Sequence, residues 1–169
     1  SRTKKKNKTL IGINTKISKN AYVSDLNVVI GDNVVIEPNV TILSDVEIGK
    51  NVIIRAGTVI GTEGFEHKRT KKGILSIIHD GKVIIKDNVE IGANNAISKG
   101  FSYRNTIISE EVKTDNLVHI AHGVQIGKRC LLPASCMIAG GVTIENDVWI
   151  GPNSSISSFI KISNKAYIS

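Results

Sequence analysis

Two histidines and a distant glycine could together carry out acyl chemistry. The histidines are His119 and His122, in the stretch Asn-Leu-Val-His-Ile-Ala-His-Gly, and the glycine is Gly140, eighteen residues after His122. A neutral imidazole can take a proton from an amine or a hydroxyl near neutral pH. A backbone amide can donate to the oxyanion of a tetrahedral intermediate, and glycine lets a substrate approach that amide closely. His122 and Gly140 form the candidate catalytic pair if the fold brings them together.

A six-residue repeat runs through most of the chain, and a fold built on this repeat would bring His122 and Gly140 together. An aliphatic residue recurs every six positions, for example at Ile30, Ile36, Ile42, Ile48, Ile54, Ile60, Ile120, Ile126, Leu132, Ile138, Ile144 and Ile150. A helix would need apolar spacings of three and four, so a period of six does not indicate one. A short strand followed by a corner in each hexad explains the period, because Gly, Asn and Asp at corners tolerate positive φ.

Three hexads would close a triangular coil, and successive coils would stack at the spacing of about 4.8 Å between neighbouring strands. We therefore predict an all-β, left-handed parallel β-helix with three hexads per coil. In this frame His119 points outward from a strand and His122 lies at a corner. Gly140 lies at the same corner one coil later, about 5 Å along the axis.

Two interruptions break the repeat. The first predicts one protruding loop at about residues 62–82. The second separates Ile97 from Ile108, just before the coil that carries His119 and His122 (the histidine coil). Long loops on rigid scaffolds are often functional. Phe65, Lys68 and Arg69 of the first loop could hold a phosphorylated ligand, although an exposed basic loop without a ligand is the simpler interpretation.

Composition and charge limit the domain organisation, the partners and the location that we expect for the protein. Residues 1–9 read as a basic tail or linker and residues 10–169 as the β-helix domain, and the missing terminal caps predict a piece of a longer protein. The net charge is +7, but no basic face interleaved with aromatics indicates nucleic-acid binding. Cys130 and Cys136 match no zinc or redox spacing. With no apolar span and no signal peptide, we expect a soluble, cytoplasmic protein.

A zinc site is the alternative use of the histidines. Some β-helix proteins hold zinc with three histidines across a subunit boundary, and His67 and His79 lie in or beside the first loop. Such sites need a longer ligand spacing than that between His119 and His122. We therefore predict no metal site.

The hexads resemble those of the left-handed β-helix (hexapeptide-repeat) acyltransferases. Three stretches look most like the UDP-3-O-acylglucosamine N-acyltransferase branch. They are Ile60-Gly-Thr-Glu-Gly-Phe65, Gly81-Lys-Val-Ile-Ile-Lys-Asp-Asn-Val-Glu-Ile-Gly-Ala-Asn94, and Asp115-Asn-Leu-Val-His-Ile-Ala-His122 followed by Ala139-Gly140.

This resemblance implies that His122 is the general base and that Gly140 supplies the oxyanion amide. It puts Asn116 near the donor or the acceptor. His119, which points outward from its strand in the repeat frame, would contact a ligand or a neighbouring subunit. The resemblance also implies a homotrimer with active sites in the clefts between adjacent β-helices.

The resemblance further implies a thioester donor and an amino-sugar acceptor. The donor would be an acyl-phosphopantetheine, carried on acyl carrier protein or coenzyme A as a co-substrate, with no permanently bound cofactor. The acceptor would be the amine of a nucleotide-linked sugar, as in lipid A (lipopolysaccharide) or surface glycan synthesis. Lys128 and Arg129 at a later corner could contact phosphates of either ligand.

Two alternatives stay open. The segment Val148-Trp-Ile-Gly-Pro152 resembles more general acetyltransferases, so an acetyl-CoA-dependent O- or N-acetyltransferase of another small acceptor is one of them. A non-catalytic β-helix scaffold is the other. Release of thiol from a thioester would separate either enzyme from the scaffold.

Overall fold

The structure is a computed structural model that describes residues 6–169. Short parallel strands stack along three faces of a triangular prism, which confirms the predicted left-handed β-helix. Residues 1–5 of the predicted basic tail lie outside the described range. The end of that tail contacts the first coils, because the Thr9 amide donates to the Asp25 carbonyl at 3.0 Å.

Each face is one parallel sheet. Face one comprises β1 (Leu10–Ile11), β4 (Val28–Ile30), β7 (Val46–Ile48), β12 (Val83–Ile85), β15 (Thr106–Ile108), β18 (Gln125–Ile126), β21 (Thr143–Ile144) and β24 (Lys161–Ile162). Face two comprises β2 (Lys16–Ile17), β5 (Val35–Ile36), β8 (Ile53–Ile54), β13 (Glu90–Ile91), β16 (Lys113–Thr114), β19 (Leu131–Leu132), β22 (Trp149–Ile150) and β25 (Tyr167–Ile168). Face three comprises β3 (Tyr22–Val23), β6 (Thr41–Ile42), β9 (Val59–Thr62), β14 (Ala96–Ser98), β17 (His119–Ile120), β20 (Met137–Ile138) and β23 (Ser155–Ile156).

The hexad aliphatics form the core. On face three Ile97 pairs with Ile120, and Ile120 with Ile138, and all three side chains are fully buried. Identical branched side chains stacked in register fill the prism, so the interior needs no aromatic residue. Cys130 and Cys136 are also buried with free thiols, and burial raises the pKa of both.

Asparagines in the left-handed region make many of the corners. Asn33, Asn51 and Asn88 have φ values of 57°, 56° and 61°. Their carboxamides form a ladder, in which Asn33 donates to Asn51 at 3.2 Å and Asn51 donates to Asn88 at 3.1 Å. Asparagine tolerates positive φ better than most residues, so it suits a corner repeated in every coil.

Both interruptions leave the prism and return to it. Between β9 and β12 the chain forms an exposed antiparallel hairpin of β10 (His67–Thr70) and β11 (Gly73–Ser76). Between β14 and β15 it makes a tight turn closed by a bridge between Phe101 and Arg104. Both excursions leave from face three and return at face one, which is the edge where β17 is followed by β18.

No helix long and apolar enough to span a membrane occurs within residues 6–169.

Candidate active site

The repeat holds His122 at the corner between faces three and one. Ile120 before it and Val124 after it are fully buried, whereas the His122 side chain is 12% exposed. Gly123 completes the corner with a φ of 68°. The corner is tied to the next coil, because the Gly141 amide donates to the His122 carbonyl at 3.0 Å.

Gly140 lies directly beneath the His122 ring. A Cβ added to Gly140 would lie 2.6 Å from Nε2 and 3.0 Å from Nδ1 of His122, and closer still to Cε1. Only a residue without a side chain can therefore occupy this position with the ring where it is. Within residues 6–169 the Gly140 amide donates no hydrogen bond, although its carbonyl accepts one from Phe159 at 3.1 Å. The structure thus brings together the two residues that the repeat frame paired.

The base of the hairpin covers the other side of the ring. A Cβ on Gly64 would lie 2.7 Å from Cδ2 and 2.9 Å from Cβ of His122. The Glu66 carboxylate lies 3.9 Å from His122 Nε2, a separation that allows ion pairing but is too long for a hydrogen bond. Glu66 therefore faces the imidazole and would stabilise its protonated form.

A groove of about 390 Å³ opens beside the ring. It is lined by Thr62, Glu63, Phe65, Glu66, Ser98, His119, Ala121, His122, Met137, Ala139, Gly140, Ser158 and Phe159. Phe65 and Phe159 on its rim are 89% and 81% exposed, and Met137 is also exposed. An apolar chain could cover these side chains, and polar groups could reach the imidazole at the floor.

Burial lowers the pKa of His122 below its usual range. A positive charge on nearby His79 lowers this pKa further, and the Glu66 carboxylate opposes both effects. Burial also lowers the pKa of His119, whereas a hydrogen bond with the Ala96 backbone acts to raise it. The lowered pKa of His122 favours the neutral imidazole, which is the form that a general base needs.

Arg104 of the second interruption ties two corners together. Its Nε donates to the Gly123 carbonyl at 2.5 Å, and its Nη2 donates to the Gly141 carbonyl at 3.1 Å and to Thr143 Oγ1 at 2.9 Å. These carbonyls follow the His122 and Gly140 positions in successive coils. The guanidinium therefore helps to set the spacing between them.

The structure does not bring all the predicted ligand-binding residues to this groove. Asn116 lies at the corner between faces two and three, where its carboxamide oxygen accepts from the Ala93 amide at 2.8 Å. Lys128 and Arg129 lie at the corner between faces one and two, where Arg129 pairs with Asp147 at 2.6 Å. A coil has three corners, and the linear order of hexads does not show which corner faces a groove.

Two of the other predicted residues line the groove, and two lie on the hairpin. His119 and Phe65 line it, whereas Lys68 and Arg69 lie on the exposed strand β10. Sequence reasoning gave Glu63, Glu66, His79 and Phe101 no role beside the catalytic base, and all four lie in the two interruptions. The only signal available for them was that both interruptions occur within two coils before the histidine coil.

The described residues contain no cluster of three or more His, Cys, Asp or Glu side chains that could hold a metal ion. A base facing a bare glycine amide, beside a groove with an apolar rim, can support attack on an acyl carbonyl.

Comparisons with known proteins point to one group. Residues 27–62 match the family described as bacterial transferase hexapeptide (six repeats), and residues 8–44 and 123–158 match the hexapeptide repeat of succinyl-transferase. UDP-3-O-acylglucosamine N-acyltransferase of Methylobacterium nodulans is 44% identical over 121 residues, which cover 72% of this chain and 34% of that protein. The enzyme of the same name from Caulobacter vibrioides is 43% identical over 93 residues, or 55% of this chain and 27% of that protein.

Solved structures agree on the fold. A UDP-N-acetylglucosamine acyltransferase from Campylobacter jejuni superposes with a TM-score of 0.76 at 25% identity, covering 90% of this chain and 57% of that one. An Arabidopsis UDP-N-acetylglucosamine acyltransferase gives a TM-score of 0.73 at 17% identity, covering 94% and 61% respectively, which speaks for the fold alone. The chain spans about a third of the length of the curated relatives it matches.

Proposed function

The chain belongs to the hexapeptide-repeat families of bacterial transferases, and from this premise we propose that it transfers an acyl group from a thioester to the amine of a nucleotide-linked amino sugar. The observation that carries the proposal is the His122 ring lying over the bare backbone of Gly140 in an open groove. The named relatives support an amino-sugar acceptor, as in lipid A or surface glycan synthesis.

In the proposed reaction His122 takes a proton from the amine as its nitrogen attacks the thioester carbonyl. The new C–N bond produces a tetrahedral oxyanion, which accepts a hydrogen bond from the Gly140 amide. Collapse breaks the C–S bond, and the proton held by His122 passes to the departing sulfur. The products are an amide and a free thiol, and Glu66 stabilises the imidazolium that forms in between.

We propose that the donor is an acyl-phosphopantetheine, on acyl carrier protein or coenzyme A, and that its acyl chain covers the apolar rim of Phe65, Met137 and Phe159. The exposed Phe65 and Phe159 side chains at the rim of the groove support a homotrimer in which a second copy covers them. With such donors we expect the reaction in the cytoplasm.

Thiol release tests the function directly. The chain is incubated with acyl carrier protein and coenzyme A thioesters of increasing acyl length, together with a panel of nucleotide-linked amino sugars. We expect thiol release that depends on the sugar, with an amide product identified by mass. The matched control is the same nucleotide sugar with a hydroxyl in place of the amine, which should give no amide.

The donor series also separates the alternatives. Transfer of acetyl groups alone, or to a hydroxyl acceptor, would favour a general acetyltransferase. No release with any donor would contradict the proposal and favour a non-catalytic scaffold.

The pH dependence of turnover should change when Glu66 is replaced. The Glu66 carboxylate raises the pKa of His122, so Glu66→Gln removes that effect and lowers this pKa further. Because turnover needs the neutral imidazole, the low-pH limb of kcat/KM should move to lower pH in the variant. We also expect kcat to fall about tenfold, since the imidazolium intermediate loses its counter-charge.

The matched control for this prediction is Glu47→Gln, which removes a carboxylate that pairs with Lys82 on face one. Its pH profile should match that of the unaltered chain. A Glu66→Gln profile whose low-pH limb stays in place, or moves upward, would contradict the role given to Glu66.

A further inference from the structure

His79 is a buried polar ring for which the proposed chemistry has no use. It follows the hairpin on the return to the prism, and its side chain is completely buried. Its Nδ1 lies 3.1 Å from the Ile77 carbonyl and 3.1 Å from the Glu63 carboxylate. Its Nε2 is buried and has no hydrogen-bond partner among the described residues. A buried nitrogen without a partner is unfavourable, so stability alone does not explain a histidine here.

The groups around His79 hold its ring in one orientation. The Glu63 carboxylate accepts from the His79 amide at 2.9 Å and pairs with Lys99 Nζ at 2.8 Å. Two acceptors beside Nδ1 indicate that this nitrogen carries a proton whether the ring is neutral or charged, and Nε2 is directed away from them. Nε2 would lie 2.5 Å from a Cβ on Gly64, on the side where the His122 ring also contacts that glycine.

Three rings meet at this point. The ring centroids are 5.3 Å apart for His79 and His122, 4.9 Å for His79 and Phe101, and 5.0 Å for Phe101 and His122. The interplanar angles are 64°, 64° and 60°. Tilted contacts at these distances are favourable for aromatic rings. With bare glycine backbones on its other sides, the His122 ring has little room to rotate.

We infer that His79 is a positioning residue, which together with Phe101 clamps the His122 ring in the orientation needed for proton transfer. This inference rests on the proposed function. The two interruptions of the repeat then share one purpose, since the first supplies His79 and the second supplies Phe101. His79 has no exposed surface, so it would act through His122 and not on the substrate.

Two variants test the contact made by the His79 ring separately from the hydrogen bonding of its Nδ1. His79→Asn keeps a donor near the position of Nδ1 but removes the ring. His79→Phe keeps a ring but removes both nitrogens and any charge. If the ring contact positions His122, we expect His79→Asn to lower kcat at least tenfold with KM unchanged, and His79→Phe to stay within about threefold of the unaltered chain.

The pH profile gives a readout that a purely structural role would not move. The charged or titratable groups that face His122 or support His79 are Glu63, Glu66, His79, Lys99, Arg104 and His119. A charge on His79 lowers the pKa of His122. His79→Phe should therefore move the low-pH limb to higher pH, opposite to the shift expected for Glu66→Gln.

A measurement without substrate keeps this inference separate from the proposed function. The chain has four histidines, so their ring ¹³Cε1 signals can be assigned by single replacements. We expect the titration midpoint of His122 to rise in both variants, and its signal to broaden in His79→Asn as the ring becomes free to rotate.

Each result has a definite meaning. An unaltered chain that releases no thiol contradicts the proposed function, whatever the His122 signal does. A His122 signal unchanged in both variants overturns the positioning role, as does a His79→Asn variant with kcat within twofold of the unaltered chain. Equal loss of kcat in both variants, together with a lower melting temperature, would mean that His79 serves only to anchor the loop.

Phe101→Leu provides an independent check and should broaden the His122 signal without moving its midpoint.

Discussion

Replacing His122 with alanine is expected to lower kcat by about 10²-fold or more while the β-helix stays folded. The loss follows because no other described side chain in the groove occupies the place of the imidazole over Gly140. The fold should persist because the ring lies outside the prism, and the buried residues Ile120 and Val124 on either side are unchanged. Turnover of the thioester and the melting temperature measure the two effects.

Added imidazole should distinguish a missing base from a disturbed fold. The His122→Ala variant leaves a ring-sized space bounded by Phe101, His79 and Gly140, which free imidazole could occupy. Partial recovery of turnover in proportion to imidazole would identify proton transfer as the lost step. Lys165→Ala, at an exposed corner of the last coil, is the control and should keep normal turnover. Near-normal turnover in His122→Ala would contradict the mechanism.

Replacing Gly140 with alanine is expected to cost a similar factor in kcat for a different reason. Gly140 is not among the glycines with positive φ, so alanine suits its backbone. The new Cβ would nevertheless lie 2.6 Å from His122 Nε2 and must displace the ring by about 1 Å. A displacement of this size at a reacting group can lower the rate by about 10²-fold. The amide remains, so the experiment tests the geometry of the pair.

Gly127→Ala is the matched control for this prediction. A Cβ at Gly127 would lie 2.6 Å from the Glu145 carbonyl carbon and 2.7 Å from Asn146 Oδ1, at the corner between faces one and two. The clash there is partly with backbone, which cannot move aside as a side chain can, so we expect a lower melting temperature with kcat retained. Full turnover in Gly140→Ala, or equal loss of kcat in both variants, would show that the ring does not depend on a bare Gly140.

The fold was predictable because one physical rule repeats along the chain. Each hexad combines an inward aliphatic with a corner that tolerates positive φ, and the structure stacks Ile97, Ile120 and Ile138 in register. Stacked strands share backbone hydrogen bonds, so two residues eighteen positions apart must lie one strand spacing apart. That is why His122 and Gly140 could be paired from sequence without any motif that contains both.

The same rule did not identify which corner carries the site. Asn116 and Arg129 occupy corners just as regular as that of His122, but their side chains bond to a neighbouring coil, to the Ala93 amide and to Asp147. A corner becomes a groove only where something outside the repeat builds a wall beside it. Here the base of the hairpin does so with Phe65 and Glu66.

By itself, then, the sequence determined the β-helix, its register and the placement of an imidazole over a glycine amide. Periodic backbone pairing fixes the distance between residues one coil apart, so these features follow from the repeat. Only the tertiary structure decided what surrounds that imidazole. Glu66, His79 and Phe101 come from the two interruptions, where no period constrains the path of the chain. Their positions depend on contacts such as the pairing of Glu63 with Lys99, which join residues with no regular spacing in the sequence.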